Sequence, residues 1–201
     1  MAIVHNSFKT ICEISFHCLA SASKLRYNIT AEDIASVGKT GVNLKKLNRR
    51  LNMRVYLDNC CYNRPYDDQS QLRISLESQA KLHVQAMIRD GEIQLASSYM
   101  LIYENSKNRS ETKRRAIERF VANNTFVYID ETHSREVEEL AETIAATGVK
   151  SADAIHTACA ILAKSDYLLT TDDRLLKYKN DNIMIVNPTE FIRLIGGTND
   201  E

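Results

Sequence analysis

Asp58, Glu104, Asp153 and Asp172 are the residues of this chain whose type and placement raise a chemical question. Asp58 directly follows the β-prone run RVYL (54–57), and Asp172 follows YLLT (167–170) after one intervening residue. Both therefore stand where a strand ends. Asp153 falls in the first turn of a helix, where the dipole favours an anion, and Glu104 lies on a helix that begins after the second strand. Singly, each has an ordinary reading: a turn residue, a solvated helix charge, a helix-start charge and an N-cap, for Asp58, Glu104, Asp153 and Asp172 in turn. Together they do not. Two carboxylates about 4 Å apart repel by roughly 4 kcal/mol even at an effective dielectric constant of 20, so four that converge stay ionised only around a cation. An oxygen-only set with no partnering Cys or His selects a hard ion, Mg²⁺ or Mn²⁺. The chemistry implied is metal-assisted attack of water on a phosphodiester.

The elements that must position these residues alternate from Met53 onward. RVYL, EIQLAS (92–97), TFVYI (125–129), YLLT and IMIV (183–186) read as strands. Between the first two, residues 70–90 place Leu72, Leu76, Ala80, Val84 and Met87 at helical spacing, with Gly91 as a stop. Further helices are predicted over 98–106, 110–122, 134–147 (ended by Gly148) and from Ser151, which reads as the cap of a helix with Ala154, Ile155, Ala158, Ile161 and Leu162 on its apolar face. A short helix separates the last two strands, and a terminal helix covers 189–195. Strands alternating with helices imply right-handed crossovers and a parallel sheet covered on both faces. Residues 53–201 therefore read as a three-layer α/β/α sandwich, in which ligands gather beyond the carboxyl ends of the strands.

At this point the motifs become specific. VYLDN (Asp58), YMLIYEN (Glu104), KSADAIHTACA (Asp153) and LLTTDDRLLK (Thr170, Asp172) occur in that order over the stretch 53–190. The ordered set resembles the PIN domain, a metal-dependent nuclease family that includes the VapC-type toxins of bacterial toxin–antitoxin pairs. The resemblance implies that Asp58, Glu104, Asp153 and Asp172 hold one or two Mg²⁺ or Mn²⁺ ions, with Asn59 and Thr170 supporting by hydrogen bonds. Asp173 is either an auxiliary ligand or the cap of the following helix, and the cap is the reading preferred. His156, one turn after Asp153, either approaches a phosphate or is a satisfied packing histidine, the latter preferred; Cys60 and Cys61 read as packing residues. The activity implied is a ribonuclease leaving 5′-phosphate and 3′-hydroxyl ends, with RNA as substrate, an antitoxin protein as partner and a homodimer as a common state. Lys107, Arg109, Lys113, Arg114 and Arg115, just after Glu104, offer either a backbone clamp or a solvated helix face.

Composition limits the rivals. Apolar content of 44% and charged content of 26% fit a globular chain, and no run approaches the length of a membrane span. Five cysteines without C-x-x-C spacing suit a reducing cytoplasm. Glu13 and His17 interrupt the apolar stretch 10–22, against a signal peptide. Net charge is zero, yet residues 1–52 hold eight Lys/Arg against three Asp/Glu, +5, leaving −5 for the body. That basic head reads as a small helical extension, helix-turn-helix-like in outline through Gly38–Gly41 and the basic run Lys45, Lys46, Arg49 and Arg50. DNA binding through it gives the alternative function, a transcriptional regulator with a silent PIN domain. A structure-specific DNA nuclease is the rival within enzymes. A phosphoacceptor receiver domain wants an acidic pair near the first strand's end, which Asp58-Asn59-Cys60 does not supply.

Overall fold

The computed structural model describes residues 51–196. The helix-turn-helix-like reading of the head falls on residues 1–50 and lies outside the described residues. Five strands form one parallel sheet: β1 (Arg54–Leu57), β2 (Gln94–Ser98), β3 (Thr125–Ile129), β4 (Tyr167–Leu169) and β5 (Met184–Val186), in the order β3-β2-β1-β4-β5. β1 is central, with Val55 aligned with Leu95 on one side and Tyr167 on the other. Helices α1 (Asn59–Asn63) and α2 (Leu72–Arg89) connect β1 to β2, and α3 (Tyr99–Ser106) and α4 (Glu111–Asn124) connect β2 to β3. α5 (Ser134–Ala145) and α6 (Ser151–Leu162) lead to β4, and α7 (Pro188–Gly196) follows β5.

Successive strand residues point to opposite faces, and the core divides accordingly. Val55, Leu57, Leu95, Leu169 and Val186 pack with Val84 and Met87 of α2, Ile117 and Val121 of α4 and Phe191 of α7. Tyr56, Ala96, Leu168 and Ile185 pack on the other side with Val137, Ala141 and Ile144 of α5 and Ala154 and Ala158 of α6. The result is the three-layer α/β/α sandwich expected from the alternation of elements. No helix among the described residues is long and apolar enough to cross a membrane.

Three local expectations need correction. Ser151 does not cap α6: it is the first helical residue, Lys150 occupies the N-cap, and no side chain bonds the open N–H groups there. The short helix between the last strands is a 3-10 turn, Leu175–Lys177. The third correction concerns α2, where Leu72 and Leu76 are exposed while Glu77, Ser78 and Lys81 are buried. The reason is the 3-10 turn Arg64–Tyr66, which covers the first half of α2 with polar groups. Glu77 lies 2.8 Å from Nε of Arg64 and 2.8 Å from Nε of Arg73, and the Ser78 hydroxyl donates to the Arg64 carbonyl. Arg64 also donates to the Thr171 carbonyl, so this polar cluster ties α2 to the loop that carries Asp172. A buried carboxylate paired with two arginines in this way overrides the periodicity of the leucines.

Lys81 is buried without a carboxylate within ion-pair distance among the described residues. Its ammonium donates to Gln85 (2.8 Å) and lies 5.4 Å from the Tyr62 ring centre. Burial pushes its pKa down to about 8. Below that pH the folded state carries a desolvated charge that the unfolded chain keeps in water, and between about 8 and the ordinary lysine value of about 10.4 the unfolded chain binds more protons, so this group's contribution to stability rises with pH. Lys81→Met is therefore expected to stabilise the protein by about 1–3 kcal/mol at neutral pH. Urea unfolding of both proteins over a pH series checks this, and the gain should shrink as pH rises through about 8.

Candidate active site

Asp58 ends the central strand, and its backbone N–H donates to the Leu169 carbonyl of β4 at 2.9 Å. It occupies the N-cap position of α1, yet its side chain makes no cap bond. Its carboxylate instead turns into the molecule, 5% exposed. Oδ2 accepts from the Thr170 hydroxyl at 2.8 Å and from the Cys60 thiol at 3.0 Å. Thr170 also accepts from the Asp172 backbone N–H at 3.1 Å. One fully buried hydroxyl thus joins the ends of β1 and β4.

Glu104 is brought to the same edge by α3, whose first turn is capped by Ser98 at the end of β2. The Ser98 hydroxyl also meets Tyr56 Oη at 2.6 Å, Tyr56 meets Nδ1 of His156 at 2.8 Å, and Nε2 of His156 meets Oε2 of Glu104 at 3.0 Å. The same Nε2 lies 3.8 Å from Oδ1 of Asp58. Donor atoms of Asp58, Glu104 and His156 all fall within 4.8 Å of one another. His156 opposes its own charge by burial, but its hydrogen bond to Glu104 and the charges of Asp58, Glu104 and Asp153 outweigh this and raise its pKa above the ordinary histidine value. The same bond, with weaker help from Asn59 and others, holds Glu104 below the usual carboxylate range despite partial burial.

Asp153 and Asp172 stand outside that 4.8 Å group but are coupled to it. Burial and then the like charges of Asp58 and Asp172 push the Asp153 carboxyl up, although it sits in the first turn of α6. Asp172 is held down, chiefly by the Arg174 backbone N–H, which donates to Oδ1 at 2.7 Å; Oδ2 lies 3.6 Å from Nζ of Lys150. Asp172 thus spends one oxygen on the turn that follows β4 and keeps the other beside Lys150. Asp173 does not cap that turn. Its exposed carboxylate takes both terminal nitrogens of Arg73, because Asp172 already serves the turn's N–H.

Two residues contribute more than the sequence suggested. His156 is satisfied and buried, as preferred, but it is also a donor atom of the carboxylate group, so the set is not oxygen-only. Its spacing of three from Asp153, one helical turn, is the signal that could have placed it there. Cys60 touches Asp58 and accepts from the Thr171 N–H, whereas Cys61 is plain packing with its thiol on the Leu169 carbonyl. Of the basic run, Lys107 stacks on Tyr103, Lys113 lies over Tyr66, Arg115 pairs with Glu111 and Arg114 donates to the Asn108 carbonyl; Arg109 is exposed.

A divalent cation fits these residues. Two carboxylates and an imidazole converge, a third carboxyl is pushed up by burial and by its neighbours' charge, and Oδ1 of Asn59, next to Asp58, is buried with no partner. A larger cavity of about 1100 Å³ along β5 and the starts of β1 and β4 is lined by none of the four carboxylates.

No curated protein matches the chain. The PIN domain profile matches residues 56–181, more than half of the chain, and spans all four carboxylates together with His156. Because the matched stretch is also the one whose strands carry these groups to a single sheet edge, the chain belongs to the PIN domain family, and its fold is that of a nuclease.

Proposed function

We propose that the protein is a divalent-metal-dependent endoribonuclease of the toxin type. The observation that carries this reading is the convergence of Asp58, Glu104 and His156 within 4.8 Å at the carboxyl end of the central strand of a PIN chain. Asp58, Glu104, Asp153 and Asp172 hold one or two ions, Mg²⁺ or Mn²⁺, and His156, with Nε2 hydrogen-bonded to Glu104, orients that carboxylate. When bound, such an ion acts as a Lewis acid on the phosphoryl group and lowers the pKa of a water.

The protein's own groups do the rest. Thr170 and Cys60 occupy Oδ2 of Asp58 and leave Oδ1 turned toward Glu104 and His156. The chain from Ser98 through Tyr56 to His156 fixes the imidazole from behind, so Glu104 cannot swing away without breaking a buried bond. Water attacks phosphorus in line, the P–O3′ bond breaks, and the products carry 5′-phosphate and 3′-hydroxyl ends. A toxin of this kind needs a silencing partner, an antitoxin that covers the acidic edge.

Two outcomes test the reading. Total RNA incubated with the full chain is expected to be cut with Mn²⁺ or Mg²⁺ and spared with chelator, and Asp58→Asn is expected to lower the rate by at least about 100-fold. Equal cutting of single-stranded DNA would make it a general nuclease. Inertness of both proteins would turn attention to a regulator acting through the basic head.

The second outcome is thermal. The folded pKa of Asp153 lies above its ordinary value, so its ionised form is disfavoured in the fold, and this penalty is present above the folded pKa and relieved as pH falls through it. In chelator at neutral pH, Asp153→Asn should therefore melt higher than the native protein. With Mn²⁺ the order should reverse, because the native protein gains from binding and the variant does not.

A further inference from the structure

Beside the acidic centre is a cleft of about 360 Å³ between the turn 147–150 and the segment 174–179. Asp153 lines it on the side of the centre, and Lys150, Arg174, Lys177 and Lys179 supply the remaining charge. Four cations therefore face one carboxylate, on a body whose overall charge is −5. Arg174, Lys177 and Lys179 are exposed and make no ion pair within 4.0 Å among the described residues. Lys150 reaches Asp172, so the cleft is continuous with the site. Gly148 at φ +97° shapes its rim, where a side chain would strain the backbone.

We infer that this cleft, resting on the nuclease reading of the adjoining centre, binds the phosphodiester backbone of a single-stranded RNA and leads it past Lys150 to the carboxylates. A polyanion must place a phosphate among Asp58, Glu104, Asp153 and Asp172, and cations that grip the neighbouring phosphates offset the repulsion that a bound metal ion leaves. The cations must be free to do so. Lys107, Lys113, Arg114 and Arg115 are engaged with Tyr103, Tyr66, Asn108 and Glu111, which leaves Arg109 alone of that run exposed without an ion pair among the described residues, whereas Arg174, Lys177 and Lys179 stand together, exposed and unpaired, beside Asp153. Topology places the two sets apart: the first follows Glu104 on the β2 side of β1, the second follows Asp172 on the β4 side. The strand thus enters from the β4 side.

The test uses the full chain carrying Asp58→Asn, in chelator, titrated with a fluorescein-labelled single-stranded RNA across a KCl series. Arg174→Ala/Lys177→Ala/Lys179→Ala in that background is expected to weaken binding about tenfold or more and to reduce the slope of log affinity against log salt by about 2, since each lost single-strand phosphate contact removes about 0.7. Lys107→Ala/Arg109→Ala/Lys113→Ala is expected to change affinity by less than about twofold. The reverse ranking, or no RNA binding by the parent protein, overturns the cleft. Hydrolysis of bis(4-nitrophenyl) phosphate with Mn²⁺, by chains carrying native Asp58, separates the two readings. This small diester does not need the cleft, so the triple cleft variant should match the native rate. Native protein inert toward it overturns the hydrolase reading, while the RNA titration decides the cleft independently.

Discussion

A carboxylate at the end of the central strand, almost fully removed from water and flanked by others of the same sign, is the constraint on which the arrangement depends. Asp58 is 5% exposed. Burying an unpaired charge there would be costly, and the surrounding residues answer that cost at each oxygen. Thr170 and Cys60 donate to one, while the imidazole edge of His156 stands beside the other. The answering groups come from the turn after β4, from α1 and from α6, so the same bonds that tolerate the charge also fix three parts of the chain relative to β1.

The imidazole is itself held by a chain of hydroxyls on the same face of the sheet. Tyr56 and Asp58 are neighbours but one on β1 and share its Tyr56 face through His156 rather than the leucine-rich face of Val55 and Leu57. A buried polar chain of this kind is favourable only when every member is satisfied. Ser98 meets that demand by serving Tyr56 and the first turn of α3 together, which couples the orientation of His156 to the helix that carries Glu104.

Much of this was legible in the sequence. Asp58 and Asp172 were readable because strand ends have a signature, an apolar run stopped by polar residues, and because parallel sheets present their carboxyl ends to ligands. Other features required tertiary information. The roles of Asp172 and Asp173 in the turn cannot be told apart from two adjacent aspartates, since either could serve the N–H that Asp172 takes. The buried face of α2 ran against its leucines because Arg64, far from Glu77 in sequence, supplied the partner. His156 looked like packing because periodicity reports burial and not what a buried nitrogen touches. Cys60 was read as packing for the same reason.

The register of the central strand bears on when this centre can exist during synthesis. β1 is bracketed by β2 and by β4, and Val55 pairs with Tyr167, more than a hundred residues downstream. Apart from the neighbouring Cys60, the groups that make Asp58 tolerable are equally distant: Thr170 comes from after β4, and His156 from the helix before it. Closing such long loops costs entropy before any contact rewards it, which makes parallel sheets with a central first strand late to form. A nascent or truncated chain that ends before β4 therefore carries Asp58 and Glu104 without the edge that assembles them. The acidic centre therefore assembles only once β4 and the turn that follows it have been made.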